Sequence, residues 1–251
     1  MKKKISLKSL DDIKRIKESG KIIAEIFKVI AGLSLNGLST LEIDKFIEDI
    51  IHKSKARPSF KTVVNYNHAT CISVNNEVVH GIPSKKKIIK KGDIVKIDIG
   101  VVKKGYFADG CYTFSVKPVS KIADKLISVT SEALHKGIDV LYPGKRMGDM
   151  GSVIQKYVED SGFSIVRDYT GHGVGFAVHE LPGVLHYGVK GKGRLIQEGM
   201  VLALEPIVNE GKYNILVLED GWTAVTEDGK LSAQFEHTVA VTKDGPDVLT
   251  E

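Results

Sequence analysis

Apolar residues recur at helical spacing between residues 10 and 31, which predicts a first helix there. The run from Leu33 to Gly37 ends that pattern. A second helix is predicted to begin after Ser39 and Thr40, whose hydroxyl groups are typical helix caps. The stripes that carry these predictions are Ile13, Ile16, Ile23, Ile26, Phe27 and Ile30 in the first helix, and Ile43, Phe46, Ile47, Ile50 and Ile51 in the second.

The second stripe recurs 107 residues further along the chain, again after a glycine, since Gly37 and Gly144 share the same offset. One recurring stripe could be chance, because amphipathic helices are common. The segment KGDIVKID at 91–98, however, also aligns with EGMVLALE at 198–205, which pairs Asp98 with Glu205. The helical positions that match are Met150, Val153, Ile154, Tyr157 and Val158.

A helix, a glycine, a strand and an acidic residue that share one offset predict two similar halves. We expect a mixed α/β fold with half-repeats at roughly residues 10–118 and 119–251. No linker rich in proline, glycine or serine separates them near residues 117–122. The halves are therefore expected to pack as a single domain over residues 1–251, with a site between them.

Composition is that of an ordinary globular protein, with 42% hydrophobic and 27% charged residues. No apolar run approaches the roughly 18 residues that a membrane-spanning helix needs. The lysine-rich start is followed by the charged stretch DDIKRIKES rather than an apolar one, which argues against export. Two cysteines do not suggest a disulfide framework, so a reducing cytoplasm is the expected location.

The net charge of +5 is concentrated at Lys2–Lys4 and at Lys85–Lys91. Solvated lysine surfaces explain such runs in most proteins. The alternative is a weak electrostatic attraction to a polyanion such as RNA. Because no aromatic residues interleave with the lysines and no nucleic-acid motif is present, any such contact would be independent of sequence.

The segments IVKIDIG and YFADGCYTF predict two strands joined by a turn at Lys103-Lys104-Gly105. A turn centred on Lys103-Lys104 places Asp98 opposite Asp109, and a bulge at Gly105 would shift this register by one residue. Two facing carboxylates require a shared proton or a cation unless their side of the hairpin faces solvent. Because both strands are strongly apolar, a buried cation site is slightly favoured over a side of the hairpin that faces solvent.

Two further acids lie in aliphatic, strand-like segments, Glu205 in VLALEPIV and Glu236 in SAQFEHTVAV. A buried, unpaired carboxylate costs several kcal/mol, so each needs a partner. Arginine is scarce here, and four acids in strand-like segments favour one shared cation site. The repeat brings Asp98 and Glu205 to equivalent positions in the two halves.

His172 lies between glycines in TGHGVGFAVHE, which lets the backbone approach closely and presents the imidazole. The glycine spacing does not match a GxGxxG phosphate loop, and Pro182 interrupts a helix that an HExxH zinc motif at His179 would need. Each remaining histidine, taken singly, is more often structural, and Cys71 has no assignable base partner. These histidines are His80, His179, His186 and His237.

Taken together, the chain resembles the type I methionine aminopeptidases of the pita-bread fold over nearly its whole length. The resemblance implies two related α/β halves around a dinuclear metal site, in agreement with the repeat. It also implies hydrolytic removal of an N-terminal methionine when the next residue is small. The motifs that carry it are SFK at 59–61, CISVNNEVVHGIP, GDIVKIDIG, YFADG, TGHGVG, GMVLALEPIV, EDGWT and LSAQFEHTVAVT.

The resemblance implies that Asp98, Asp109, His172, Glu205 and Glu236 bind two divalent ions, with Asp109 and Glu236 bridging. One imidazole and four carboxylates form an oxygen-rich set that favours Mn, Fe or Co, with Zn possible. The family's general base and proton shuttle corresponds to Glu205. The substrate amine would lie near the ion held by Asp98.

Further site residues follow from the same resemblance. His179 would stabilise the oxyanion, and His80 would contact the substrate near the scissile amide. Val178 is smaller than the residue that many family members have before the second histidine. By position, the residues that line the methionine pocket are Phe60, Tyr66, Cys71, His80, Val178 and Trp222.

Two alternatives remain within the same fold family. Xaa-Pro peptidases share the fold and the ligands but usually carry an extra N-terminal domain, and only about 90 residues precede Asp98. Some pita-bread proteins bind peptides or histones after losing their ligands, whereas all five are intact here. Expected partners are therefore N-termini of nascent polypeptides, with possible weak ribosome contact through the basic segments, no specific nucleic acid and no membrane. A monomer is expected.

Overall fold

The structure is a computed structural model that describes residues 5–251, so the basic start at Lys2–Lys4 lies outside the described residues. Its α-helices are α1 (Leu10–Ala31), α2 (Thr40–Lys53), α3 (Lys121–Ile138) and α4 (Met147–Asp160). Its strands are β1 (Arg57–Pro58), β2 (Thr70–Val74), β3 (Ile94–Lys103), β4 (Tyr106–Ser115), β5 (Ser164–Ile165), β6 (Gly171–Gly173), β7 (Glu180–Val184), β8 (Val201–Leu204), β9 (Ile207–Asn209), β10 (Ile215–Val217), β11 (Ala224–Thr226), β12 (Ser232–Gln234), β13 (His237–Thr242) and β14 (Gly245–Val248).

The first helix covers the predicted residues 10–31, and α2 begins at Thr40, one of its two predicted caps. Ser39 caps α2 by accepting a hydrogen bond from the Glu42 amide, while the Glu42 carboxylate accepts one from the Ser39 amide. Ile43 and Ile47 are buried, but Phe46 keeps 40% of its surface exposed. The predicted apolar stripe of α2 is thus wider than the face that is buried. The same holds for α4, where Val153, the counterpart of Phe46, is 37% exposed.

The strands form one sheet in the first half and several in the second. β3 lies between β2 and β4, and its end also pairs with β1. The second half contains a five-stranded sheet in the order β14-β13-β8-β6-β7, a three-stranded sheet in the order β12-β9-β5, and the hairpin β10–β11. Helices pack on these sheets through two large apolar clusters, one for each half. Among residues 5–251, no helix combines the length and apolarity that a membrane crossing requires.

The offset of 107 is visible in the three-dimensional structure. Both ends of α4 lie 107 residues after those of α2, and β8 begins 107 residues after β3. An isolated bridge between Ser39 and Ile88 recurs between Arg146 and Leu195 at the same offset. The two halves therefore repeat one order of helix, turn and strand, as the sequence predicts.

The β3–β4 hairpin differs from its predicted register. Lys103 pairs with Tyr106, so the turn is Lys104-Gly105, and both residues have positive φ (51° and 85°), as in a type I′ turn. Asp98 consequently lies opposite Cys111, and the predicted Asp98–Asp109 pairing is wrong by two residues. Because the shift is even, both carboxylates stay on the same face as diagonal neighbours.

Hydrogen bonds join the two halves next to this hairpin. The Glu236 amide donates to the Cys111 carbonyl at 2.8 Å, and the Thr113 hydroxyl donates to the Gln234 carbonyl at 2.6 Å. The buried ammonium of Lys96 on β3 donates to the Ser232 carbonyl at 2.5 Å. These contacts hold the acidic face of the first half against the start of β13.

Candidate metal centre

The five predicted ligands meet in one cavity of about 410 Å³ between the two halves. Asp98 comes from β3 and Asp109 from β4, whereas His172 comes from β6. Glu205 directly follows β8, and Glu236 directly precedes β13. Both halves therefore contribute acids to the same space.

The ligand atoms fall into overlapping groups, in each of which all atoms lie within 4.8 Å of one another. One group contains Asp98, Asp109 and Glu236, and another contains His172, Glu205 and Glu236. Glu236 belongs to both groups, so its carboxylate lies where it could bridge two cations. A third group joins Asp109, His172 and His179.

Burial dominates the electrostatics of the four carboxylates. It raises the pKa of Asp98 to about 7, and it raises the pKa of Asp109, Glu205 and Glu236 well above the usual range, with mutual repulsion adding to the effect. Asp98 Oδ1 and Glu236 Oε1 are enclosed without any hydrogen-bond partner. Clustered acids with partnerless buried oxygens fit divalent cations, which would supply the missing positive charge.

His172 is oriented as a neutral ligand. Its Nδ1 lies 2.9 Å from the Gly173 carbonyl, which directs Nε2 toward Glu205 Oε1 at 3.6 Å and Asp109 Oδ2 at 3.9 Å. Burial, and then the neighbouring His179, lower the pKa of His172 to about 4. The ring is therefore uncharged at neutral pH, with its Nε2 facing the carboxylates, which is the usual arrangement of a metal-binding histidine.

The two other predicted catalytic histidines line the same cavity. The rings of His179 and His172 are 4.4 Å apart between centroids, and His80 packs edge-on against Tyr169 at 5.2 Å. His80 has a φ of 56°, a strained conformation that is common at functional sites. Burial lowers the pKa of both imidazoles, that of His80 to about 4, so both are neutral hydrogen-bonding groups near neutral pH.

An apolar pocket adjoins the acidic cluster. Phe60, Tyr66, Cys71 and Val178 form one buried cluster, with Trp222 packed against it. Val178 contributes to this cluster without lining the cavity, unlike the other four residues. Burial raises the pKa of the Cys71 thiol well above its usual value, which disfavours the thiolate and agrees with the absence of a predicted base partner.

The structure adds two polar contacts to Glu205 that the sequence did not indicate. Gln234 Nε2 donates to Glu205 Oε2 at 3.1 Å, and His186 Nε2 accepts from the Glu205 amide at 3.0 Å. Strand alternation could have revealed Gln234, because it lies two residues before Glu236. The further lining residues are Val63, Val79, Asp168, Tyr169 and Thr170.

The loop at residues 174–180, which carries His179, is held by a buried ion pair. Glu180 Oε1 accepts hydrogen bonds from the Phe176 and Ala177 amides at 2.5 and 2.9 Å. Glu180 Oε2 lies 2.5 Å from the ammonium of Lys8, whose side chain is almost fully buried. A residue at the start of the chain thus stabilises a loop of the second half.

Comparisons with known proteins agree with this geometry. The model of metallopeptidase family M24 matches residues 14–243. The methionine aminopeptidase of Clostridium perfringens is 46% identical, over 98% of each chain. Methionine aminopeptidase 1 of Bacillus subtilis is 45% identical over 94% of each chain.

Solved structures give the same result for the fold. The methionine aminopeptidase of Thermotoga maritima superposes with a TM-score of 0.97 at 41% identity, covering 99% of this chain and 100% of that one. The likeness to the prolidase of Pyrococcus furiosus shows the fold alone, with a TM-score of 0.80 at 22% identity over 98% of this chain and 65% of that one. The predicted pita-bread fold is confirmed. The chain belongs to metallopeptidase family M24 and, within it, to the methionine aminopeptidases.

Proposed function

We propose that the chain is a metal-dependent aminopeptidase that hydrolyses the bond after an N-terminal methionine when the next residue is small. The observation that carries this proposal is one cavity in which an acidic, cation-binding cluster adjoins a buried apolar pocket. The cluster supplies hydrolytic chemistry, and the pocket supplies selectivity. The names of the relatives, at up to 46% identity over almost the whole chain, point to the same activity.

We propose that Asp98, Asp109, His172, Glu205 and Glu236 hold two divalent ions, with Asp109 and Glu236 shared between them. Four carboxylates balance the charge of two such ions, and the oxygen-rich donor set favours Mn, Fe or Co over Zn. When bound, the ions would make a water molecule more acidic and polarise the scissile carbonyl.

The chain's own groups would move the protons. Glu205 would accept a proton from the attacking water and pass it to the leaving amine, with Gln234 and His172 orienting its carboxylate. The neutral imidazole of His179 would donate a hydrogen bond to the developing oxyanion. His80, which lines the same cavity, would contact the scissile amide.

The apolar cluster would bind the methionine side chain. Phe60, Tyr66, Cys71, Val178 and Trp222 offer a buried surface that suits a flexible, unbranched thioether. His80 would close this pocket on the side of the scissile bond. The substrate's free amine would lie next to Asp98, which would explain a requirement for an N-terminus.

We further propose that the two half-repeats act as one domain, because the hydrogen bonds between Cys111 and Glu236 cross from one to the other next to the acids. The natural substrates would be nascent polypeptides in the cytoplasm, and the protein would act as a monomer. Lys85–Lys91 could add a weak, salt-sensitive attraction to the ribosome.

The test is an assay of methionine release after chelation and separate restoration of Mn, Fe, Co or Zn. A Met-Ala peptide should be cleaved and an Xaa-Pro peptide should not. Asp98→Asn and Glu236→Gln should each lose at least about a hundredfold in turnover while keeping the native circular dichroism spectrum. Glu219→Gln, which changes an exposed acid, is the matched control and should retain full activity. Near-normal turnover in either ligand variant would overturn the assignment.

A further inference from the structure

A second group of metal-ligating side chains lies outside the catalytic cavity. It consists of His135 in α3, His237 at the start of β13 and Glu251 after β14. Each offers one ligand atom, and these atoms lie within 4.8 Å of one another. The group lines a separate cavity of about 390 Å³ whose wall is otherwise formed mainly by α1 and aromatic residues of β4.

Both imidazoles of this outer cluster are already oriented by a partner at Nδ1. His135 Nδ1 lies 2.7 Å from the Ser131 carbonyl one helical turn earlier, so it donates its proton there. His237 Nδ1 lies 2.8 Å from the Thr250 hydroxyl oxygen, which can accept that proton. The Thr250 hydroxyl is itself placed by the Thr238 amide, which donates to it at 3.2 Å. Nε2 of each ring is thereby left with a free lone pair, as in most metal-binding histidines.

The spacing of the ligand atoms suits an ion rather than direct hydrogen bonds. His237 Nε2 and Glu251 Oε1 are 4.0 Å apart, too far for a hydrogen bond. Metal–ligand bonds of about 2.0–2.2 Å in a tetrahedron place neighbouring ligand atoms roughly 3.4 Å apart. The cluster would have to contract by about 1 Å, and the exposed side chains of His135 and Glu251 can do this by small rotations.

The donor set of the outer cluster differs from that of the catalytic centre. Two imidazoles and one carboxylate leave a fourth position for water, and such a nitrogen-rich set favours zinc, copper, nickel or cobalt over manganese or magnesium. Lys28 also lines the cavity, but its side chain is exposed, so solvent screens the repulsion between its ammonium and a bound cation. His237 follows Glu236 directly in the chain, so an ion here would tie α3 and the segment after β14 to the strand that begins right after a predicted catalytic ligand.

We propose that His135, His237 and Glu251 form a second metal site, separate from the catalytic centre and selective for a nitrogen-preferring divalent cation such as zinc. This site does not depend on the proposed peptidase chemistry. It would stabilise the junction between α3 and the segment after β14. Zinc bound here would add to any zinc that replaces manganese at the oxygen-rich centre, because zinc binds more tightly than manganese to most nitrogen and oxygen sites.

The experiment titrates zinc into the full chain after its catalytic centre has been loaded with manganese. Bound zinc is counted by mass spectrometry of the metal after gel filtration, and affinity is measured by calorimetry. The wild type should bind one zinc per chain more than His135→Asn and Glu251→Gln do, or should bind that additional zinc at least tenfold more tightly. His52→Asn, which changes another exposed helical histidine, is the matched control and should bind zinc as the wild type does.

Methionine release with manganese should be unchanged in His135→Asn, which would show that the fold and the catalytic centre are intact. The same zinc count and affinity in the wild type and in both cluster variants would overturn the proposal. Equal losses in His52→Asn would also overturn it, because zinc would then be binding to surface histidines in general.

Discussion

Removing the metal ions should make the stability of this protein fall as the pH rises from about 5 to about 8. In the metal-free fold, the pKa of Asp98 is raised from 3.8 to about 7 because the carboxylate is buried. A group whose pKa is higher in the folded state than in the unfolded state stabilises the fold. This stabilisation is complete when the pH is below the unfolded-state pKa, and it is lost as the pH rises through the folded-state pKa. For Asp98, this window runs from 3.8 to about 7.

The magnitude follows from the protons that each state holds. At about pH 5 the folded protein keeps a proton that the unfolded chain has mostly lost, which is worth about 2.7 kcal/mol, and by about pH 8 almost nothing remains. Because Asp98 faces the cavity, solvent reduces this figure, and we expect a loss of about 2 kcal/mol. Asp109, Glu205 and Glu236 also have raised pKa values and shift the stability in the same direction.

The assay is urea unfolding of chelated protein at several pH values, with Asp98→Asn as the matched variant. The buried histidines His172 and His186 have lowered pKa values, so their contribution is lost as the pH falls below about 6.5. They are present in both proteins, so the difference between the two reports Asp98 together with its repulsion of Asp109, Glu205 and Glu236. As the pH rises from about 5 to about 8, the free energy of unfolding of the wild type should fall by about 2 kcal/mol more than that of the asparagine variant.

Metal-loaded wild type should show the opposite trend, since its ligands bind the ions only when deprotonated and its stability should rise with pH. A stability difference between chelated wild type and Asp98→Asn that stays constant across this range would refute the reasoning. It would mean that the acids of the metal-free cavity are solvated and keep their ordinary pKa values.

Three further changes test other parts of the structure. In Gly100→Ala, the new Cβ would lie 2.0 Å from Ser59 Oγ and 2.7 Å from a Phe60 ring carbon. Both residues must shift, so KM for methionine peptides should rise with a stability loss of about 1–3 kcal/mol, and an unchanged KM would contradict this. Lys8→Met should lower the free energy of unfolding by about 3–5 kcal/mol, because it leaves the Glu180 carboxylate buried without its cation. A loss below about 1 kcal/mol would argue against a structural role for this ion pair. Replacing Lys85–Lys87 with glutamate should weaken salt-sensitive co-sedimentation with ribosomes, and no change at low salt would refute that contact.

The hairpin shows where sequence reasoning reaches its limit in this protein. Alternation placed Asp98 and Asp109 on one face, which is correct, but the pairing depended on which two residues form the turn. The left-handed conformations of Lys104 and Gly105 moved the turn by one position and the register by two. Such a choice depends on the energy of one turn, which the flanking apolar pattern does not encode.

By itself, the sequence determined the elements whose signals are local or repeated. Helical periodicity and caps defined α1 and α2, and the offset of 107 predicted α4 and related Asp98 to Glu205. Family motifs then indicated the five ligand candidates. These features are readable because a helix or strand face recurs at a fixed spacing along the chain.

Only the tertiary structure decided which distant residues meet. Lys8 pairs with Glu180, Gln234 orients Glu205, and His135 approaches His237, each across many residues of intervening chain. Such contacts depend on how the two halves close on each other, and no local spacing records that closure. The depth of the acidic cluster, which raises the pKa of its carboxylates, likewise exists only once both halves exclude water.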